Sequence, residues 1–257
     1  MAKNTFQRYE KKFLLTLSQL ERLLPRLLEH GMVYDKYCTD GGIYTIYNVY
    51  YDDETSSVIR DSIRKPKPDF KQKLRMRSYE TPASPDSQVF LELKKKAMGV
   101  VLKRRVKLTY SEALAFANEG VRPQTDDYSK NRMLDEFEYY FKTHRVKPTL
   151  YLSYERIALF DKDNKDFRIT FDNRIITRRY DLELGYGSYG ENLLHEQERV
   201  MEIKIISAVP KWLSDILSEE KIYMSGFTKY GNEFRNSHGS GFTHIDQRKT
   251  PEKAGTK

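Results

Sequence analysis

The sequence has a single cysteine, Cys38, so it can form no internal disulfide. That excludes the small cross-linked scaffolds of secreted proteins and points to a reducing compartment. Histidine is scarce: His30, His144, His195, His238 and His244 show no metal-ligand spacing. Long apolar runs are missing as well. No stretch reaches the roughly 18 apolar residues of a membrane-crossing helix. The opening residues, MAKNTFQRYEKKF, contain no apolar segment of the signal-peptide kind. The expectation is a cytoplasmic protein. There is no P-loop and no nucleophile elbow. Gly185-Tyr186-Gly187-Ser188-Tyr189-Gly190 matches G-x-G-x-x-G in letters. A nucleotide fold would need a strand before it and a helix after it, and the surrounding residues 181–198 show neither pattern.

What the chain has in quantity is charge. Its 257 residues include 45 Lys+Arg against 37 Asp+Glu, a formal net charge of +8. An anionic partner is expected: nucleic acid, an anionic membrane or a phosphate-rich small molecule. Trp212 and the tyrosines among the basic residues do not have the spacing of a single-strand-binding platform, so no nucleic acid is expected.

The charges are patterned. In Lys73-Leu74-Arg75-Met76-Arg77 the cations share one face of a strand and the apolar residues the other. The same alternation recurs. Eight segments read as strands: Arg8–Leu15, Tyr44–Tyr51, Lys71–Tyr79, Val89–Lys95, Val101–Leu108, Thr149–Phe160, Phe167–Ile176 and Arg199–Ile206. Between them lie helical stretches. One runs from Ser18 toward Gly31 with Leu20, Leu23, Leu24, Leu27 and Leu28 as its stripe and Pro25 as a kink. Others are Ser111–Asn118, stopped by Gly120, Asn131–His144 and Lys211–Ser218. Residues 61–69, with Pro66 and Pro68, read as a loop. The fold class is α+β: an eight-stranded antiparallel β-barrel with short helices packed outside. One domain spans residues 1–236, and the polar residues 237–257 read as a disordered tail.

The helices decide which face of the barrel is inside. Their apolar stripes can reach only its outer surface, so the charges line the interior as a tunnel. The expected lining is Arg8, Lys12, Lys73, Arg75, Arg77, Lys94, Lys103, Arg105, Arg156, Arg168, Arg174 and Lys204, with Glu10, Glu92, Asp172 and Glu202 among them. Lys95, Lys96 and Arg104 have the opposite parity and face outward or into a turn. So many cations cannot all pair with so few carboxylates, and unpaired buried charge is costly. A bound polyanion would remove that cost. Arginine forks match phosphate oxygens, and the few carboxylates suit Mn²⁺ or Mg²⁺ held together with phosphates.

The ordered set Arg8-Tyr9-Glu10-Lys11-Lys12, Lys73-Leu74-Arg75-Met76-Arg77, Glu92-Leu93-Lys94, Tyr154-Glu155-Arg156, Glu202-Ile203-Lys204 and Thr228-Lys229-Tyr230 resembles the triphosphate tunnel metalloenzymes. Within them it is similar to the polyphosphate-polymerase domain of the vacuolar transporter chaperone (VTC) family. The resemblance covers about residues 7–235. It implies that Arg75, Arg77, Lys94, Lys103 and Arg156 bind phosphates, that Glu202 binds metal with Glu10 as the other candidate, and that Lys229 closes one end of the tunnel. It also implies a setting at the inner face of a membrane, beside a separate membrane protein. Arg8 stands where the wider superfamily opens with a glutamate, which fits the polymerase branch. No second lysine immediately precedes Lys229. The expected activity is transfer of the terminal phosphoryl group of ATP to polyphosphate, with release of ADP. A triphosphatase of the same fold and a non-catalytic polyphosphate binder remain open as alternatives.

Overall fold

The computed structural model describes residues 9–38, 42–98, 100–206 and 208–239. Arg8 and residues 240–257 of the expected tail lie outside the described residues. The strands are β1 (Tyr9–Thr16), β2 (Met32–Tyr34), β3 (Tyr44–Asp52), β4 (Phe70–Ser78), β5 (Gln88–Ala97), β6 (Val100–Thr109), β7 (Lys147–Asp161), β8 (Arg168–Arg178), β9 (Glu191–Asn192) and β10 (Glu198–Ile205). The helices are α1 (Leu17–Glu29), α2 (Ser57–Ile63), α3 (Tyr110–Leu114), α4 (Tyr128–His144), α5 (Lys211–Glu219) and α6 (Lys229–Ser237).

All eight long strands fall where the alternation places them. They form one antiparallel sheet in the order β1-β10-β8-β7-β3-β4-β5-β6, with short β2 beside β7 and β9 beside β8. The architecture is α+β, but the expected closed barrel is not formed: β1 and β6 are both edges and do not pair. One cause lies in the edge of β1. The backbone N–H of Ser225 donates to the carbonyl of Lys12 at 2.7 Å, and Met224 bridges Phe13, so a later segment occupies that edge. The sheet still curls. Lys94 of β5 reaches Glu10 of β1 at 3.5 Å, although these strands lie near opposite ends of the sheet order. The charged faces therefore meet across a concave trough rather than within a sealed cylinder.

The convex face is apolar and carries helices, as expected. Leu134, Phe137 and Tyr140 of α4 pack on Leu74, Met76, Leu91, Leu93 and Val106. Leu20, Leu23 and Leu27 of α1 pack with Leu213 and Ile216 of α5 over Phe13, Leu15, Ile169, Met201 and Ile203. The start of α1 is fixed locally by a reciprocal cap: Thr16 Oγ1 accepts from the Gln19 N–H, and the Thr16 N–H donates to Gln19 Oε1. The helix runs on through Pro25.

Two helices escaped the sequence reading, α2 and α6, and they pack together on the charged side of the sheet. Ile59, Tyr230 and Phe234 join Ile46, Tyr50, Leu152 and Tyr154 in a third apolar cluster. Asp52, wholly buried, ties the pair: it accepts from the Val58 and Ile59 N–H groups at 2.9 Å and from the Tyr230 hydroxyl at 3.0 Å. Gly231 permits the contact, since a Cβ there would lie 2.8 Å from the Ile63 side chain and 2.3 Å from Thr228 Oγ1. This packing also fixes position: Lys229, the first residue of α6, is held at the concave face.

Candidate functional site: a trough of shared carboxylates

The register of the sheet builds the site. Across neighbouring strands Tyr50 faces Arg75, Arg75 faces Glu92 and Glu92 faces Arg105; likewise Asn48 faces Arg77, and Lys73 faces Lys94, which faces Lys103. Alternation turns all of these to one face.

Glu92 is the centre of the β4–β6 side and is 2% exposed. Arg75 Nε donates to its Oε2 at 2.7 Å, and Lys103 Nζ lies 2.6 Å from its Oε1. Arg105 and Arg77 add ion pairs at 3.4 and 3.8 Å. Burial alone would push the Glu92 carboxyl up, but Arg75, Arg77 and Lys103 outweigh it and hold it well below the usual range. The guanidiniums are fixed from behind. Arg75 Nη1 donates to the Tyr50 hydroxyl at 3.1 Å; Arg77 Nε donates to Asn48 Oδ1 at 3.0 Å and its Nη2 to the Tyr154 hydroxyl at 3.3 Å.

Asp172 is the second centre and has no exposed surface. Arg156 grips it through two parallel bonds of 2.6 and 2.8 Å, and Lys229 Nζ donates to the same Oδ2. Burial raises its pKa, yet Arg156 and Lys229 bring it below the ordinary value. Tyr154 lies under the same cations. Burial would raise its hydroxyl, but Arg156, Arg77 and Lys229 pull it down to about 8.

The third centre joins β1 and β10, where Lys12 faces Glu202 and Glu10 faces Lys204. Lys12 Nζ stands between two carboxylates, 3.2 Å from Glu10 and 3.6 Å from Glu202. Lys204 lies 2.5 Å from Glu202. Burial opposes ionisation of Glu202, and Lys204, Lys12, Arg156 and Lys229 restore it, leaving the carboxyl well below its usual range.

Lys73 differs from these. Burial first, then Lys12, Lys71, Lys94 and Arg75, lowers its ammonium pKa to about 7. It faces the Tyr230 ring at 5.8 Å.

The structure thus brings Lys12, Lys73, Arg75, Arg77, Lys94, Lys103, Arg105, Arg156, Lys204 and Lys229 to the trough. Arg168 sits at its margin, donating to Asp35 at 3.3 Å and to the Tyr44 hydroxyl at 3.1 Å. Arg174 is placed elsewhere. A bulge opposite Ser153–Glu155 puts an extra residue into β8, and Arg174 takes a φ of 43° there. Its side chain, 70% exposed, pairs with Glu155 at 3.0 Å, while Ile175 turns into the apolar cluster instead. Strand parity could not have foreseen that insertion. Lys95 and Arg104 face outward, onto Glu136 of α4 at 3.0 and 2.7 Å. The sequence reading missed Asn48, Tyr50 and Tyr154, whose only signal was sharing a face with cations on adjacent strands.

A family model, the VTC domain, matches residues 7–238. The chain belongs to the VTC domain family. Among solved structures, this VTC domain is similar to a protein of Bacillus halodurans described as a candidate adenylate cyclase, with 14% identity, 86% of this chain and 95% of that chain covered, and a TM-score of 0.49. It is similar to a chain of the Schizosaccharomyces pombe Mediator head module at 10% identity, with 93% and 98% covered and a TM-score of 0.39. It is similar to the Mimivirus capping enzyme triphosphatase at 7% identity, with 82% and 88% covered and a TM-score of 0.32. No curated protein sequence matches the chain. No helix among the described residues is long and apolar enough to cross a membrane.

Proposed function

We propose that this VTC domain is a polyphosphate polymerase, transferring the terminal phosphoryl group of ATP to a growing polyphosphate chain. The observation that carries the reading is the surplus of positioned cations: Glu92 alone is shared by Arg75, Arg77, Lys103 and Arg105, and Lys73, next to Arg75 on the same face of β4, lies among cations. A chain of phosphates supplies the negative charge that four acidic residues cannot.

Phosphoryl transfer needs alignment and charge neutralisation more than covalent help from the protein. Arg75, braced by Tyr50, would hold the oxygens of the transferred group, and Arg77, braced by Asn48 and Tyr154, those of the triphosphate nearer the ribose. The bond from the γ-phosphorus to the β–γ bridging oxygen breaks, and a bond forms to a terminal oxygen of the acceptor chain. ADP leaves with the electron pair, and the polymer gains one phosphate. The acceptor oxygen is already ionised at neutral pH, so no general base is required.

The family resemblance also implies Mn²⁺ or Mg²⁺. No group of three or more acidic, histidine or cysteine ligands occurs among the described residues. A hard cation that keeps its waters and shares phosphate oxygens needs only one or two carboxylates, and ionised Glu202 and Glu10 meet that requirement. Those two would hold the ion, which when bound neutralises charge on the phosphates. Lys12 would have to leave its place between them.

The test is product analysis. Purified protein given ATP and Mn²⁺ should release ADP and accumulate an acid-labile polymer that an exopolyphosphatase destroys. Long-chain polyphosphate should raise the melting temperature, less so at high salt. Orthophosphate release from tripolyphosphate without polymer would assign the triphosphatase activity instead. Binding without turnover would make the domain a polyphosphate receptor.

A further inference from the structure

At the end of β3 and β4 away from α6, the trough opens onto a row of aromatic rings. Tyr37 and Tyr44 lie 6.4 Å apart, Tyr44 and Tyr79 6.4 Å, and Tyr79 and Phe90 5.9 Å. Tyr37 is 65% exposed and Tyr79 43%, and each ring has a cation over one face, Lys36 at 4.9 Å from Tyr37 and Arg105 at 5.9 Å from Tyr79. Cations flank the row: Arg105 covers Phe90 at 3.6 Å and donates to the Tyr79 hydroxyl at 3.3 Å, and Arg168 donates to the Tyr44 hydroxyl. These rings take no part in the apolar clusters that hold the helices, apart from Tyr44 at the margin of one of them.

We propose that this row is a stacking subsite for the nucleobase of the donor. The inference rests on the donor being a nucleoside triphosphate. Tyr79 lies two residues beyond Arg77, about 7 Å along an extended chain, roughly the span of a ribose between phosphate and base. A triphosphate lying along the strand, with its transferred group at Arg75 and the phosphate next to the ribose at Arg77, therefore leaves its base at the rings. Base-on-ring stacking accepts any base, because every base has a π-face. The hydroxyls of Tyr44 and Tyr79 already accept guanidinium hydrogen bonds, so the site holds faces more than it reads edges. ATP and GTP should be bound alike.

The experiment is calorimetric titration of the whole chain with two probes, the β,γ-imido analogue of ATP and inorganic tripolyphosphate. Tyr37→Ala is the cleaner variant, since Tyr37 contacts none of the trough cations; Tyr79→Ala is the second, with Tyr79→Phe retaining the ring. Both alanine variants should weaken the nucleotide analogue by about tenfold and leave tripolyphosphate within about twofold, while Tyr79→Phe stays near wild type. Equal weakening of both probes, or no change for the analogue, overturns the subsite while leaving the polymerase reading intact. A wild-type protein that binds tripolyphosphate but not the analogue defeats the nucleotide-donor reading, and the subsite with it.

Discussion

The two sides of the trough solve the same problem with different cations. Around Glu92, on β4–β6, three of the four partners are arginines, and two of these are braced by Tyr50, Asn48 and Tyr154. Around Glu202 and Glu10, on β1 and β10, the nearest partners are lysines: Lys12, Lys204 and Lys94. A guanidinium is a planar fork that stays charged, whereas an ammonium is a mobile point charge on a flexible stem. The arginine side is preorganised to hold phosphoryl oxygens. The lysine side can rearrange, which is what admission of a metal between Glu10 and Glu202 requires.

The largest effect should come from removing the centre of the arginine side. Glu92→Gln strands Arg75, Arg77, Lys103 and Arg105 without their counter-charge. Breaking a buried pair from one side costs about 3–5 kcal/mol, so urea unfolding should show a loss of that order, and added polyphosphate should recover much of it. Glu202→Gln should cost clearly less, because Lys12 and Lys204 can swing to solvent. Equal losses in the two variants would break the comparison.

Next come the arginines themselves. Arg75→Ala or Arg77→Ala should slow polymer synthesis by about 10²–10³, equivalent to roughly 2.7–4 kcal/mol of barrier, with the fold retained by circular dichroism. Arg75→Lys sharpens the point: it keeps the charge but loses the fork, so it should recover only part of the rate. Full recovery by lysine would show that charge alone matters on this side.

Glu202→Gln tests the other side. Removing one of two carboxylates should raise the Mn²⁺ concentration needed for half-maximal synthesis by about tenfold or more, a change of ~1.4 kcal/mol. ATP-analogue affinity without metal should change little. An unaltered metal dependence would shift the ligand role to Glu10.

Much of this was legible in the sequence because β-structure has a period of two. Once Lys73, Arg75 and Arg77 shared a face, Glu92, Lys94, Lys103, Arg105, Glu202 and Lys204 followed on neighbouring strands, and the helical stripes settled which face was outside. What broke the reading was local departure from that period. The β8 bulge sent Arg174 outward, and Ser225 on the edge of β1 kept the sheet from closing. Two short helices were the other gap: α2 packs against α6, and α6 is placed by long-range contacts such as Tyr230 with Asp52, which no local pattern records. Pairings across the trough, such as Lys94 with Glu10, depend on curvature that no strand pattern records.

The smallest effect is a pH dependence, and Lys73 should supply it. It shares a strand with the arginines but is surrounded by Lys12, Lys71, Lys94 and Arg75, and burial with these neighbours puts its pKa at about 7. An unfolded lysine titrates near 10.4, so between about pH 7 and 10 the unfolded chain holds a proton that the folded one has released, and this group makes stability rise with pH. Below pH 7 the ammonium is charged in both states and its burial penalty is fully felt. Lys73→Met should therefore raise the melting temperature, most at pH 6 and least at pH 10. Binding runs the other way. A polyanion beside Lys73 supplies the missing counter-charge and draws a proton back, so polyphosphate affinity should fall by about fivefold between pH 7 and pH 8. The arginines keep their charge throughout that range. Calorimetry at pH 8 in two buffers of different ionisation enthalpy should show net proton uptake on binding in the wild type and its loss in Lys73→Met. Equal uptake in both proteins would move the pH sensitivity to another lysine of the trough and leave Lys73 as a permanently charged phosphate contact.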